Sequence, residues 1–146
     1  MKRTYPDRPI LAVGAAVCRD DGRVLIVQRG NPPSKGVWTV PGGVVQLGER
    51  MADAAAREVR EECGIEIAVG EVVGVLDNVV YDERGRIRFH YAIVDLAARY
   101  VSGTLAINEE LLGAAWVMPD QFAAYQVPEK AQEVLRKALA VDRPGS

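Results

Sequence analysis

The chain has one histidine and two cysteines among 146 residues, and each scarcity removes a class of explanation. His90 stands in a β run with no second imidazole to pair with, so it is assigned no catalytic or metal role. Cys18 and Cys63 are too few for a disulfide framework, and neither belongs to a CxxC spacing. No apolar run approaches the length of a membrane span. The opening stretch MKRTYPDRPI is basic but lacks the apolar run of a secretion signal. A net charge of −2 argues against bulk electrostatic binding of nucleic acid. What remains is an ordinary apolar fraction, 49%, on a length that one core can serve. The expectation is one domain over residues 1–146 in a reducing, cytoplasmic setting, with no membrane or nucleic-acid partner.

Along the chain, Ile10 to Cys18 and Val24 to Gln28 read as β runs joined by Asp20-Asp21-Gly22, a hairpin signal. The stretch NPPSKGVWTVPGG is loop chemistry, punctuated by Pro32-Pro33, Gly36 and Pro41-Gly42-Gly43. A helix is expected from about Arg50 to Cys63. Ala52, Ala55, Ala56, Val59 and Cys63 fall on one stripe at helical spacing and should face the core. Gly64 suits the left-handed position that closes such a helix. Two long β runs follow, Ile65 to Val80 and Ile87 to Val101, around the turn-like YDERGR. A loop leads to a strand from Ala114 to Met118, and Pro128 introduces an amphipathic last helix. The tail VDRPGS is expected to fray. The order is mixed α/β, with strands on both sides of a central helix.

That helix carries a local contradiction. Glu58, Glu61 and Glu62 crowd its C-terminal end, where like charges one turn apart repel and anions oppose the macrodipole. The three fall within one arc of the surface, with Glu58 and Glu62 stacked roughly 6 Å apart along the axis. Hard divalent cations want such convergent oxygens, and Mg²⁺ or Mn²⁺ would turn the cost into a gain. The other reading is a solvated face, with Arg57 four residues from both Asp53 and Glu61 and Arg60 nearby to compensate. The helix alone leaves both open.

Its surroundings decide between them. Gly43 is followed by five residues, Glu49, seven residues, and then Arg57-Glu58-Val59-Arg60-Glu61-Glu62-Cys63-Gly64-Ile65. From Gly43 to Ile65 this resembles the Nudix box at every defined position, without a gap. VWTVPGG ahead of it and AAWV far behind it also look like the family's flanking elements. The resemblance implies a Nudix-type α/β/α sandwich with a mixed central sheet. It also implies hydrolysis of a nucleoside diphosphate derivative by water, with one to three Mg²⁺ or Mn²⁺ ions. By motif position, Glu58 and Glu62 are the expected metal ligands, Glu61 a ligand directly or through water, and the Gly42 carbonyl a further ligand. Glu49 and Arg57 are expected to clamp the loop to the helix, with Gly43 and Gly64 shaping the backbone. The chemistry is coherent. A pyrophosphate repels nucleophiles until metal screens its charge and acidifies water, and a carboxylate must then take the proton.

One position departs from the family pattern. An acid is often found three residues ahead of the late tryptophan, and here that residue is Gly113. Glu109 and Glu110 lie just upstream and either reach the metals or are solvated loop charges, so Glu58 and Glu110 both stand as candidate bases. The stretches VQRGNPPSKGVWTVPGGVVQLGE and RIRFHYAIVDLAARYVSG look most like the ADP-ribose pyrophosphatase branch, implying cleavage to AMP and ribose 5-phosphate. A MutT-type nucleoside triphosphate or oxidised-nucleotide pyrophosphohydrolase is the alternative, and a non-catalytic metabolite sensor is a third reading. Arg29 and Lys35 are candidates for phosphate contact. Trp38, Phe89 and Tyr91 either stack on substrate or pack in the core. A homodimer is a family-based expectation.

Overall fold

The computed structural model describes residues 2–142, excluding the side chain of Asp142. Seven strands form one curled mixed sheet between two helices. β1 (Ile10–Cys18) is apolar along almost its whole length because both of its faces are covered. The expected turn closes it: Gly22 takes φ 87°, its N–H donates to the Arg19 carbonyl, and Asp21 accepts from the Arg23 N–H.

β2 (Val24–Arg29) pairs with β1 only at Cys18↔Val24 and then diverges. That divergence frees the edge of β1 for another occupant. The glycine-rich stretch read as loop in fact supplies two short strands, β3 (Trp38–Thr39) against β2 and β4 (Gly42–Val44) against β1. Turn residues misled here because the backbone must come very close: a Cβ at Gly42 would lie 2.0 Å from the Val13 carbonyl oxygen. Only glycine fits.

α1 (Met51–Cys63) follows, and Gly64 ends it at φ 72° with its N–H on the Arg60 carbonyl. Its buried stripe is Ala54, Ala55, Val59 and Cys63, joined by Glu62, whereas Ala56 is half-buried and Ala52 is exposed. The expected stripe is thus rotated, because the helix also turns Glu58 and Glu62 inward. Val59 has no exposed surface, and its burial stabilises by about 1.5–3 kcal/mol.

β5 (Glu66–Tyr81) and β6 (Ile87–Ser102) form a long antiparallel hairpin, and β6 also runs parallel to all of β1, from Ile10↔Tyr91 to Cys18↔Arg99. β7 (Leu111–Val117) starts three residues earlier than the sequence suggests and pairs with β2. α2 (Glu129–Asp142) takes in the start of the tail expected to fray, and residues 143–146 lie outside the described part. Successive side chains point to opposite faces of the sheet. Val13, Ala15, Leu96 and Ala98 therefore pack under α1, while Ala16, Ile26, Ala97 and Leu135 pack with α2. No helix among the described residues is long and apolar enough to cross a membrane.

Candidate metal centre

Three segments meet where the box helix crosses β4. A carboxylate oxygen from each of Glu58, Glu62 and Glu110 lies within 4.8 Å of the others. The first two come from α1 and the third from the loop before β7. Glu62 is only 7% exposed, and the Gly42 N–H donates to its Oε1 at 3.3 Å. Burial, reinforced by the charge of Glu58, raises the Glu62 pKa to about 8. Burial likewise pushes Glu58 upward, against the pull of Arg57. Holding such carboxylates together without a cation is costly.

The late loop reaches the helix through its backbone. The Ala106 N–H donates to the Cys63 carbonyl and the Asn108 N–H to the Glu62 carbonyl, so unsatisfied carbonyls at the end of α1 are what dock the loop. Asn108 then accepts the Glu110 N–H on its side chain at 3.0 Å. On the other side, the Gly30 N–H donates to the Glu110 carbonyl, and a Cβ at Gly30 would lie 2.6 Å from that oxygen. Asn108 and Gly30 escaped the sequence reading, since neither carries a signal beyond an ordinary turn.

Arg57 braces the other flank with all five of its N–H directions. Its Nε and Nη2 grip Glu49 at 2.7 and 3.0 Å, and Nη2 also meets the Val44 carbonyl at 3.1 Å. Nη1 reaches Glu58 at 2.9 Å and Glu61 at 3.3 Å. The fork on Glu49 holds that carboxyl down at about 2, and its partners push the guanidinium upward. The expected clamp is present.

Other candidates divide. The Glu61 side chain is 55% exposed, points to Arg57, and stands outside the converging triad. Glu109 is exposed. Arg29 acts on Glu62 by its charge while its Nε donates to the Pro33 carbonyl at 2.8 Å. Lys35 is exposed on the loop before β3. Trp38 is half-buried, meets Tyr125 edge-on at 4.9 Å and packs against the α2-side core. Phe89 is 5% exposed and packs in the core, whereas Tyr91 is half-buried.

Three convergent carboxylates, with no competing soft donor, form the oxygen set that Mg²⁺ or Mn²⁺ prefers. A family model for the NUDIX domain matches residues 8–139. The chain belongs to the NUDIX family. This Nudix hydrolase is 34% identical to a "MutT-like protein" of Streptomyces ambofaciens over 97% of its own length and 83% of that relative. It is equally similar, at 34%, to the "CTP pyrophosphohydrolase" of Escherichia coli K12, covering 90% of this chain and 93% of that one. The "ADP-ribose pyrophosphatase" of Methanocaldococcus jannaschii shares 34% over 60% of this chain and 52% of its own. Among solved structures, the MutT NUDIX hydrolase of Burkholderia pseudomallei superposes with a TM-score of 0.74 at 27% identity, over 90% of this chain and 98% of that one. The mixed sheet between helices is the Nudix fold.

Proposed function

We propose that this Nudix hydrolase cleaves the diphosphate of a nucleoside diphosphate derivative, with ADP-ribose as substrate and AMP and ribose 5-phosphate as products. The convergence of Glu58, Glu62 and Glu110 carries the metal-dependent cleavage, and the choice of ADP-ribose is supported by the 34% identity to the Methanocaldococcus jannaschii relative of that name. Glu58 and Glu62 hold the cation, with the Gly42 carbonyl as a further ligand and Glu61, which stands outside the triad, assisting through bound water. A bound Mg²⁺ or Mn²⁺ supplies charge screening and Lewis acidity at the diphosphate.

The protein's own groups do the rest. Glu110, the exposed member of the triad, takes the proton from the attacking water, and Glu58 is the second candidate for that work. Water adds across one P–O–P bond: its oxygen joins one phosphorus, and the other phosphate leaves. Arg29, close enough to influence Glu62, balances phosphate charge, and Trp38 offers a flat apolar face to the nucleoside. Lys35 is assigned to phosphate contact from the loop.

A second reading is supported by the E. coli relative, which aligns along 90% of the chain and is named for CTP. On that reading the substrate is a nucleoside triphosphate and the products are a monophosphate and pyrophosphate. Chromatography of products after incubation with Mg²⁺ and each substrate separates the two. Ribose 5-phosphate from ADP-ribose supports the first reading, and pyrophosphate from a triphosphate supports the second. Tight nucleotide binding with no turnover under either metal overturns both and leaves a sensor.

A further inference from the structure

Asp95 breaks the pattern of its strand. It lies within the apolar run AIVDLAA of β6 and is 3% exposed. Burial raises its pKa to about 6, and neither a hydrogen bond nor a neighbouring charge contributes to that shift. Among the described residues no fully occluded side-chain oxygen or nitrogen lacks a partner. The unpartnered oxygens of Asp95 therefore keep a narrow access to the surface. A buried carboxyl without a donor is unfavourable, and an apolar residue would serve the packing better. The carboxyl is open to a donor from outside the described residues.

The surroundings indicate which donor. On β1, the register partner of Asp95 is Gly14, where a Cβ would lie 2.1 Å from Asp95 Oδ1 and 3.0 Å from Val40 Cγ2. On β5 the partner is Gly74, where a Cβ would lie 2.9 Å from Val134 Cγ2 and 3.7 Å from Asp95 Oδ2. Glycines on both sides keep the carboxylate over backbone, on the face that packs toward α2. Trp38, Val40 and Tyr125 pack on that same face and are half-buried. Trp38 and Tyr125 bring flat aromatic rings, 4.9 Å apart between centroids, and Val40 an aliphatic side chain. Gly14 also pairs with Gly42, whose N–H holds Glu62. Asp95 is thus two strand spacings, roughly 10 Å, from the edge of the acidic centre, across β1. That is within the reach of a nucleotide from its phosphate to its base.

We propose that Asp95 determines base specificity by accepting a hydrogen bond from the exocyclic amino group of the nucleobase, beside Trp38 and Tyr125. The inference rests on the reading of the acidic centre as a nucleotide-diphosphate site. A base with an oxo group at that position cannot donate and sets a lone pair against a carboxyl oxygen. Adenine and cytosine are therefore favoured over hypoxanthine and uracil.

The test is calorimetric titration of AMP, IMP, CMP and UMP into the full-length protein and into Asp95→Asn. These nucleotides differ pairwise in the group concerned. AMP over IMP, and CMP over UMP, should show a preference of about 10- to 100-fold. Asparagine presents both a donor and an acceptor, so Asp95→Asn should accept either partner and lose the preference. Equal affinity within each pair for the unsubstituted protein overturns the proposal, as does no saturable binding of AMP or CMP. A preference that survives in Asp95→Asn also overturns it, and the comparison on the unsubstituted protein stands even if the variant does not fold. ADP-ribose hydrolysis measured alongside separates the two readings. Turnover without base preference removes Asp95 alone, whereas preference without turnover removes the hydrolytic reading and leaves the base site standing.

Discussion

Gly43 and Glu58 compete for one space. A Cβ at residue 43 would lie 2.4 Å from the Glu58 carboxyl carbon and 2.6 Å from each of its oxygens. The glycine of the box is therefore a vacancy that the glutamate fills, and the pair fixes where one corner of the triad sits.

Gly43→Ala should displace Glu58 while leaving the sheet intact, since β4 is extended there. A displacement of about 1 Å at a reacting group costs on the order of 100-fold in rate. Turnover and Mn²⁺ affinity should both fall while the melting temperature stays close to that of the parent. Unchanged turnover would show that Glu58 works from some other position.

Glu62 links the centre to pH. Its pKa is raised from 4.5 to about 8, so the folded metal-free protein keeps a proton that the unfolded chain has already released. The unfolded state binds fewer protons across that window, and stability must fall as pH rises through it. Asp95, raised to about 6, adds to the lower part of the same window. Melting in the presence of EDTA should therefore drop from mildly acidic to mildly alkaline pH, and Mg²⁺ should restore it. Glu62→Gln keeps an acceptor for the Gly42 N–H and should flatten the upper part of the curve while abolishing most turnover. A melting temperature that climbs with pH in EDTA would contradict the assignment.

Arg57→Lys retains the charge but not the planar fork, and a lysine cannot make the paired bonds to Glu49 together with those to Glu58 and Val44. Groups that orient metal ligands typically cost 10- to 100-fold in affinity or activity when changed. The expected result is a loss in that range, read as a higher Mg²⁺ requirement. Normal turnover at limiting Mg²⁺ would reduce the clamp to a purely structural element.

Glu110→Gln and Glu61→Gln separate the triad from its neighbour. Loss of a general base costs on the order of 10²–10⁴-fold. Glu110→Gln should show a fall of that size in turnover, larger than its loss of Mn²⁺ affinity. Glu61→Gln, exposed and paired with Arg57, should lose less. The reverse order would move the chemistry out onto the exposed face of α1.

Part of this candidate site follows from spacing along the chain. Residues 58 and 62 are one helical turn apart in any α-helix, so spacing alone places their carboxylates together. Asp20-Asp21-Gly22 announced its hairpin because a positive φ at Gly22 is a local requirement. The Glu49–Arg57 clamp followed from the motif, and the structure contains it.

What the chain could not disclose depends on which surfaces meet. Ala54 replaced Ala52 on the buried stripe because the helix rotated to bring two glutamates inward, and small residues fit either side equally well. Turn-forming glycines became strands because β2 leaves β1 early and exposes an edge for pairing. Glu110 joined Glu58 and Glu62 only because carbonyls at the end of α1 needed donors and the late loop had them. Asp95 stood unremarked in an apolar run until folding buried it without a partner. Local geometry is fixed by spacing along one element, whereas convergence between distant segments waits on packing, and only tertiary structure decides it.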